Sequence, residues 1–292
     1  MPLSHGEPMS VAAADLTYLS LGAGVQSTAM LVMAALGLRG CPRPSDAIFS
    51  DTGAEPQWVY DHLEWCERFA SGHGIALHVV QKGNLGALLA KAARGEATRF
   101  GTIPAFTKGD DGRPAPLRRQ CTREYKIEPI EKEVRRLMGF GHGERIAGKA
   151  SAVGLIGISV DEVIRMKPAR KKWIAHRFPL IDAAMTRSDC AELSARHGAH
   201  PRKSSCVFCP YHSDAFWLDL QKNHAEEFAV ACQADRNVRN LTTAGVTRPA
   251  FLHRSLRPLD EVDFLRWRDT PGQAHLFNLD GFGNECEGVC GV

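Results

Sequence analysis

Cysteines are the residues whose spacing points most directly to chemistry in this sequence. The chain has 292 residues and nine cysteines, and Cys206 and Cys209 form a Cys-x-x-Cys pair in the stretch SSCVFCPYHSD. Two thiolates at this spacing can reach one metal ion, although redox dithiols share the pattern. Cys121 would be a third ligand if the fold brings it close. His212 would complete a Cys3His zinc site, although a surface histidine after a turn is the more ordinary interpretation.

A second group of thiols lies in the C-terminal stretch GFGNECEGVCGV, which contains Cys286 and Cys290. Either could act as a catalytic nucleophile while the other resolves a disulfide. The alternative is that both join the Cys-x-x-Cys pair in a structural metal site. The isolated cysteines are expected to be small buried hydrophobic side chains, and these are Cys41, Cys66, Cys190 and Cys232.

A turn of small residues joins an apolar run to a helix-like segment in LTYLSLGAGVQSTAM, residues 16 to 30. Backbone N–H groups in such a turn, at the start of a helix, can bind a phosphate. The hydroxyls of Ser20, Ser27 and Thr28 could donate to the same group. Neither the Walker GK[ST] pattern nor a complete GxGxxG is present, so an ordinary loop is the alternative.

Two further features favour an anionic ligand. In SDTGAEP, residues 50 to 56, Asp51 stands at a strand end and could orient a ribose hydroxyl or a metal, although it could also merely cap the turn. The basic residues fall into two groups, residues 118–123 and residues 165–177. Arginine binds phosphate or sulfate with two hydrogen bonds, whereas solvated basic faces are the alternative.

In their order along the chain, these motifs resemble the phosphoadenosine phosphosulfate (PAPS) reductase family, within the adenine-nucleotide alpha-hydrolase or ATP-pyrophosphatase-like group. The resemblance covers roughly residues 16 to 210. It includes SxGxGxQS, DTGxExP, RRQCTREYKIEP (118–129), GISVDEVIR (157–165) and FPL (178–180).

The resemblance implies an adenine nucleotide bound across the strand ends. The residues implied to hold its phosphate or sulfate are Ser20, Gly22, Gly24 and Ser27, with Thr28 beside them. The residues implied near its ribose and base are Asp51 and Gly53. The cations implied around its anionic end are Arg118, Arg119, Lys126 and Arg165. Gln26 stands where ATP-hydrolysing members carry an aspartate, and the family's arginine is missing around Ile158 and Ser159. The choice between APS, PAPS and ATP therefore stays open.

The resemblance also implies a [4Fe–4S] cluster, with Cys121, Cys206 and Cys209 as ligands and zinc as the alternative metal. Family members with a cluster have two adjacent cysteines where this chain has Gln120-Cys121, so the fourth iron site could be open. The tail resembles the Glu-Cys-Gly tail of sulfonucleotide reductases, which implies Cys286 or Cys290 as the catalytic thiol. The implied partners include a thioredoxin-like electron donor or a cysteine desulfurase.

Three functions follow. The first is thiol- or iron–sulfur-dependent reduction or transfer of activated sulfur from an APS- or PAPS-type nucleotide. The second is ATP-dependent thiolation of tRNA or DNA by an iron–sulfur sulfurtransferase. The third is a metal-stabilised nucleotide-binding module without turnover.

Strand and helix patterns alternate from residue 16 onward, which predicts an α/β fold with a doubly wound, mostly parallel sheet. We predict a flexible leader (1–14), a nucleotide-binding domain (15–200) and a C-terminal extension (201–292) with the Cys-x-x-Cys pair and the thiol tail. No apolar run is long enough for a transmembrane helix, and residues 1–14 lack the features of a signal peptide. A cytoplasmic protein with no membrane partner is therefore expected. The net charge of +3 does not by itself indicate nucleic-acid binding.

The individual elements are predicted from local patterns. The expected strands are 16–21, 47–50, 75–80 and 152–158. The expected helices are 28–38, 56–71, 85–93, 125–137 and 189–197. Residues 94–117 are expected to form a long loop of the kind that often binds a ligand.

Overall fold

The computed structural model describes residues 14–97, 103–146, 151–241 and 248–265. Its strands are β1 (Leu16–Leu21), β2 (Asp46–Asp51), β3 (Ala76–Gln81), β4 (Phe106–Lys108), β5 (Pro114–Pro116), β6 (Ala152–Leu155), β7 (Ile174–Arg177) and β8 (Ala250–Phe251). Its helices are α1 (Val25–Leu36), α2 (Gln57–Gly72), α3 (Leu85–Ala93), α4 (Glu128–Leu137), α5 (Pro179–Asp182), α6 (Arg187–Arg196), α7 (Asp214–Asn223) and α8 (Ala225–Arg239).

The central sheet has five parallel strands in the order β3-β2-β1-β6-β7. The chain first winds outward from β1 to β3, then returns to the other side of β1 for β6 and β7. The prediction of a doubly wound parallel sheet is therefore confirmed. In such sheets the strand order reverses beside the first strand, and the crevice at the carboxyl ends of β1 and β6 is the usual ligand site.

The two faces of this sheet are covered differently. Helices α1, α2 and α6 pack on one face, and α1 is buried from Val25 to Ala35, as expected for a helix that is apolar on all sides. Helix α4 covers the other face and contacts β1, β2 and β3. Its apolar side chains, Ile130 and Val134, pack with Tyr18 and Ile48 of the sheet.

A second core lies beyond the sheet. It is built from α3, α7, α8 and a small antiparallel sheet in the order β5-β4-β8. Trp217, Leu220 and Phe264 are almost completely buried there, together with Leu85 and Leu89 of α3. The segment predicted as a C-terminal extension thus shares one hydrophobic core with α3. No helix in the described part of the chain is long and apolar enough to cross a membrane.

Several element boundaries differ from the sequence-based predictions. Helix α1 begins at Val25 rather than at residue 28, because Gly24 ends the turn and serves as its N-cap. The predicted loop 94–117 contains β4 and β5, although residues 98–102 lie outside the described part. The first residues of the predicted helix 125–137 belong to a π-helical turn, Thr122–Ile127, and α4 begins at Glu128. Helix α3 has the predicted bounds, whereas β7, with only four residues, was not predicted.

The four isolated cysteines are all buried, which confirms their prediction as small hydrophobic side chains. The exposed fractions of Cys41, Cys66, Cys190 and Cys232 are 7%, 0%, 0% and 6%. Burial raises the pKa of the Cys66 thiol to about 12, so this group stays protonated at neutral pH.

The absence of a side chain at Gly154 in β6 is required by the ring of Tyr18. A Cβ at this position would lie 2.7 Å from Oη and 2.8 Å from Cζ of Tyr18. We predict that Gly154→Ala lowers the free energy of unfolding by about 1–3 kcal/mol, because the core is overpacked. Urea unfolding would measure this change. The matched control is Gly72→Ala at the end of α2, where a Cβ meets nothing within 4 Å. Equal stability of the two variants would contradict the prediction.

Candidate functional site

The loops that follow β1, β2 and β6 meet at one edge of the sheet, because β1 pairs in parallel with both neighbours. The turn after β1 contains an unusual backbone conformation. Ala23 has a φ of 54°, in the left-handed region that residues other than glycine rarely adopt. Such strain is often found where a ligand is bound. The conformation of Ala23 directs the chain from β1 into the first turn of α1, where backbone N–H groups can bind an anion.

The hydroxyls predicted for this loop have different surroundings. Ser27 Oγ accepts from the backbone N of Gly24 at 3.2 Å, so it stabilises the turn itself. Thr28 Oγ1 lies 2.8 Å from Nε2 of His62 in α2, and the Thr28 side chain is fully buried on α1. Burial lowers the pKa of His62 to about 4, which keeps this histidine neutral at pH 7. Thr28 therefore contacts α2 through its side chain.

The loop after β6 packs tightly against the same turn. A Cβ at Gly157 would lie 3.1 Å from the backbone N of Ser27, so a larger residue would push this turn by a few tenths of an ångström. The fully buried Gln26 joins the loops, because its Nε2 lies 3.4 Å from Ser159 Oγ and its Oε1 accepts from Arg187 Nη1 at 2.9 Å. The glutamine that departs from the ATP-hydrolysing pattern thus has a structural role in the crevice.

A pocket lies beside this crevice, on the α4 face of the sheet. It is open to solvent, and its walls include Tyr18, Ile127 and Ile156, with Arg170 also lining it. The hydroxyl of Ser20 lines this pocket, is buried, and makes no hydrogen bond to any described residue. A buried polar atom in this condition is costly unless a ligand or water satisfies it. We call this cavity the Ser20 pocket.

Asp51 is held by the protein itself. Its Oδ1 accepts from the backbone N of Gly53 at 2.7 Å and from the hydroxyl of Tyr60 at 2.9 Å, and its Oδ2 accepts from Gln81 Nε2 at 3.0 Å. Gly53 has a φ of 67°, and a Cβ there would lie 2.7 Å from Asn84 Nδ2. The aspartate therefore shapes the turn, which agrees with the capping alternative considered for it above.

The predicted cations are distributed around the edge of the sheet. Nη1 of Arg165 lies 2.6 Å from Oε2 of Glu162, and the guanidinium of Arg119 lies 5.3 Å from the centre of the Tyr211 ring. Arg118 is exposed to solvent. Arg118 and Arg119 lie just before the π-helical turn, and Arg165 ends the turn after β6.

A second pocket brings the three predicted ligands together. Cys121, Cys206 and Cys209 line one pocket, which is also lined by Thr52 and Lys126. Cys121 precedes the π-helical turn, whereas the other two cysteines lie in the segment that joins α6 to α7. We call this cavity the three-cysteine pocket.

A buried network connects this pocket to β2. Thr52 Oγ1 lies 3.2 Å from Cys206 Sγ and donates to Glu55 Oε1 at 3.2 Å. Nζ of Lys126 lies 3.3 Å from the same carboxylate oxygen, and the two charged side chains are 7% and 1% exposed. Burial, followed by the Glu55 charge, raises the pKa of the Cys206 thiol well above its usual value. A bound metal ion would oppose this shift, because it favours the thiolate.

His212 holds the Cys-x-x-Cys turn from behind. Its Nε2 lies 2.9 Å from the backbone oxygen of Cys206, and its ring stacks on Phe216 with 3.8 Å between centroids. The side chain is buried, so the interpretation of His212 as a surface histidine is wrong. Burial lowers the pKa of His212 well below its usual value, so the ring is neutral.

The three-cysteine pocket has the residue types, but not the side-chain arrangement, of a metal site. Three thiols around one pocket match, in residue type, three of the four ligands that an iron–sulfur or zinc site needs. As the described side chains stand, no group of three His, Cys, Asp or Glu residues is close enough to hold an ion, so the thiols would have to turn inward on binding. The predicted thiols Cys286 and Cys290 lie outside the described residues.

The π-helical turn Thr122–Ile127 separates the two pockets. Thr122 and Lys126 face the three-cysteine pocket, whereas Ile127 lines the Ser20 pocket. The backbone oxygen of Tyr125 accepts from Ser50 Oγ at 2.7 Å, which fixes the turn to β2. Wide helical turns of this type are frequent at functional sites.

Sequence reasoning did not assign Glu55 or Gln26 to the site. Glu55 was recognised only as a residue of a motif, although a carboxylate beside a strand end and a lysine in the segment 118–129 could have suggested a pair. Gln26 was noted as a departure from the family pattern. The contact between its side chain and Ser159 joins residues 133 positions apart, and no local signal predicts it.

No family model matches this chain, and no curated protein matches it. The similarity to PAPS reductases therefore depends on the motifs and their order alone.

The buried ion pair gives a prediction about stability. We expect Lys126→Met to lower the free energy of unfolding by about 3–5 kcal/mol, because the Glu55 charge is left buried without its partner. The double variant Glu55→Gln/Lys126→Met should regain much of this loss. Urea unfolding of the single and double variants would measure both effects.

The control for this comparison is the exposed pair Glu192 and Arg196 on α6, whose side chains are 62% and 67% exposed. Removing it with Glu192→Gln should change stability by less than about 1 kcal/mol. If Lys126→Met cost no more than this control, the buried pair would not be a structural constraint.

Proposed function

We propose that this chain is an enzyme that binds an adenine nucleotide and carries out thiol- or iron–sulfur-dependent reduction or transfer of activated sulfur, of the APS or PAPS type. The observation that carries the proposal is the meeting of Cys121, Cys206 and Cys209 at one pocket, across a single π-helical turn from the Ser20 pocket. The motif order that resembles PAPS reductases supports the same function.

The nucleotide would lie in the crevice at the carboxyl ends of β1 and β6. The first turn of α1 offers backbone N–H groups to the phosphate or sulfate, and Gly157 keeps the opposite wall close. The apolar Ser20 pocket would take the nucleoside, with the Ser20 hydroxyl as a hydrogen-bond donor or acceptor. Arg118 and Arg119 would stabilise the negative charge that develops on the leaving group.

The three-cysteine pocket would hold the metal centre. Cys121, Cys206 and Cys209 would be its ligands, and a bound iron–sulfur cluster would supply electron transfer or a site for sulfur. Lys126, in its pair with Glu55, would place a positive charge near the thiolates, and Thr52, which donates to Glu55, would lie in contact with Cys206. His212 would fix the Cys-x-x-Cys turn through the backbone oxygen of Cys206.

In the reductive reaction, a cysteine thiolate attacks the activated sulfur and the AMP-type nucleotide leaves. A second thiol then attacks the first, so that a disulfide forms and the reduced product is released. The tail cysteines Cys286 and Cys290 are the candidates for these two thiols. A thioredoxin-like donor would return the disulfide to two thiols.

A second candidate function is ATP-dependent thiolation of tRNA or DNA. It is favoured by the exposed basic residues that follow β6, because a polyanionic acceptor would need such a surface. A cysteine desulfurase would then be the sulfur source.

The metal content of the protein tests the first part of the proposal. We expect anaerobically purified protein to contain iron and labile sulfide at cluster stoichiometry, with a visible absorption spectrum. Cys121→Ser, Cys206→Ser and Cys209→Ser should each lose most of it, because each removes one thiolate ligand. The control is Cys41→Ser, because Cys41 is buried in the core formed by α1 and the central sheet. Zinc in place of iron would favour a structural site, and no metal would contradict the cluster.

The nucleotide part is tested by Ser20→Ala. The Ser20 hydroxyl is buried without a partner among the described residues, so its removal should leave stability unchanged or slightly higher. If the hydroxyl bonds the ligand, the dissociation constant for APS, PAPS or ATP should rise by about tenfold, equal to about 1.4 kcal/mol. Calorimetric titration would measure the affinity.

Ser194→Ala is the matched control for this substitution. The Ser194 hydroxyl is also buried, but it donates to the backbone oxygen of Cys190 at 2.8 Å. This variant should lose stability and keep its nucleotide affinity. If none of the three nucleotides binds the unaltered protein, the proposed function is wrong.

A further inference from the structure

The turn that follows β6 presents two apolar side chains to solvent. Ile164 is 80% exposed and is the most exposed large apolar side chain in the described part of the chain, and its neighbour Val163 is 49% exposed. Both lie in the 3-10 turn Val160–Arg165. Single apolar side chains on a surface need no explanation, but two adjacent ones beside a functional crevice favour a contact site.

This turn is held firmly from below. Nη1 of Arg165 lies 2.6 Å from the buried carboxylate of Glu162, and the backbone N of Arg187 donates to Asp161 at 3.1 Å. The two acidic residues of the turn are therefore engaged by the protein. Ile164 is consequently displayed on a fixed support.

The charge of the same region is strongly positive. Residues 161–177 contain six Lys or Arg and two Asp or Glu, a net charge of +4, whereas the whole chain carries only +3. The rest of the chain is therefore close to neutral. Lys167, Arg170, Lys171 and Lys172 are all exposed, and Lys171 Nζ lies 3.7 Å from Oε2 of Glu131 in α4, which offsets one of these charges. A surface with this composition attracts a polyanion.

We propose that these residues form a docking surface for a single-stranded nucleic acid. The docking surface consists of Val163, Ile164, Lys167, Arg170, Lys171 and Lys172. Lysine and arginine would contact the phosphates and position the strand, and the two apolar side chains would pack against an unstacked base or sugar. The inference rests on the second candidate function, because it names the class of acceptor that this function needs.

The position of the surface favours a strand over other polyanions. Arg170 belongs to the surface and also lines the Ser20 pocket, so a bound strand would pass the mouth of the crevice. A flexible strand could bring one nucleotide to this mouth, next to the bound adenine nucleotide, whereas a stacked duplex could not present it without unpairing. An anionic bilayer is less suited, because membrane-bound segments bury a broad apolar face and this turn offers two residues.

Fluorescence anisotropy with labelled oligonucleotides tests the inference. The full-length protein, with its metal as purified, would be titrated with a 20-nucleotide single-stranded RNA, the matching DNA strand, the DNA duplex and a tRNA over a series of salt concentrations. We expect the single strands to bind more tightly than the duplex, with an affinity that falls as salt increases.

The variants separate the two kinds of contact. Lys167→Ala/Lys172→Ala should weaken binding at least tenfold and reduce the salt slope by about 1 to 2, because two phosphate contacts are lost. Ile164→Ser should weaken binding severalfold at an unchanged salt slope. The control is Lys91→Ala/Lys222→Ala, which removes exposed lysines of α3 and α7 and should bind as the unaltered protein does.

Three results would overturn the inference. They are equal loss of affinity in the control, binding of the duplex as tight as that of the single strands, and binding to phosphatidylserine vesicles without binding to any oligonucleotide. Calorimetric titration of ATP and APS against the same variants keeps the two proposals apart. If the unaltered protein binds the oligonucleotides but neither ATP nor APS, the proposed function is contradicted and the docking surface is not.

Discussion

The buried ion pair between Lys126 and Glu55 is the constraint on which the candidate site depends. The lysine comes from the π-helical turn and the glutamate from the loop after β2. Both side chains are buried, so if one moved away, the other would remain as a buried charge without a partner. Through the shared oxygen of Glu55, Thr52 and then Cys206 are tied to the same pair. The position of the Cys-x-x-Cys segment therefore depends in part on this ion pair, together with the hydrogen bond from His212 and the packing of Val207 and Phe208 in the second core.

This arrangement explains why two pockets lie side by side. The π-helical turn cannot shift toward either pocket, since Ser50 holds its backbone and Glu55 holds its lysine. One flank then faces three thiols, whereas the other flank is apolar and faces Ser20. The two pockets are thus separated by one turn of backbone, which contributes lining residues to each.

The fold could be predicted from local patterns because parallel strands buried on both faces are short apolar runs between helices. The loops after β1 and β2 could also be predicted, because small and polar residues follow each of these apolar strands. The contacts that build the site were not. Gln26 meets Ser159 and Arg187, and Cys121 meets the Cys-x-x-Cys pair, only after the whole chain has folded. β7 was missed because its four residues, IAHR, alternate too briefly to separate from a loop.

Several buried polar atoms lack a hydrogen-bond partner among the described residues. Among the described side chains, the buried atoms without a hydrogen bond include Ser20 Oγ, Glu55 Oε2, Ser204 Oγ, Ser205 Oγ, His212 Nδ1 and Trp217 Nε1. A fold selected for stability alone would gain by replacing such hydroxyls with apolar groups, since each costs about 1–3 kcal/mol when unpaired. Of these atoms, Ser20 Oγ lines a pocket beside the carboxyl ends of β1 and β6, and a polar ligand bound there would restore its missing hydrogen bond.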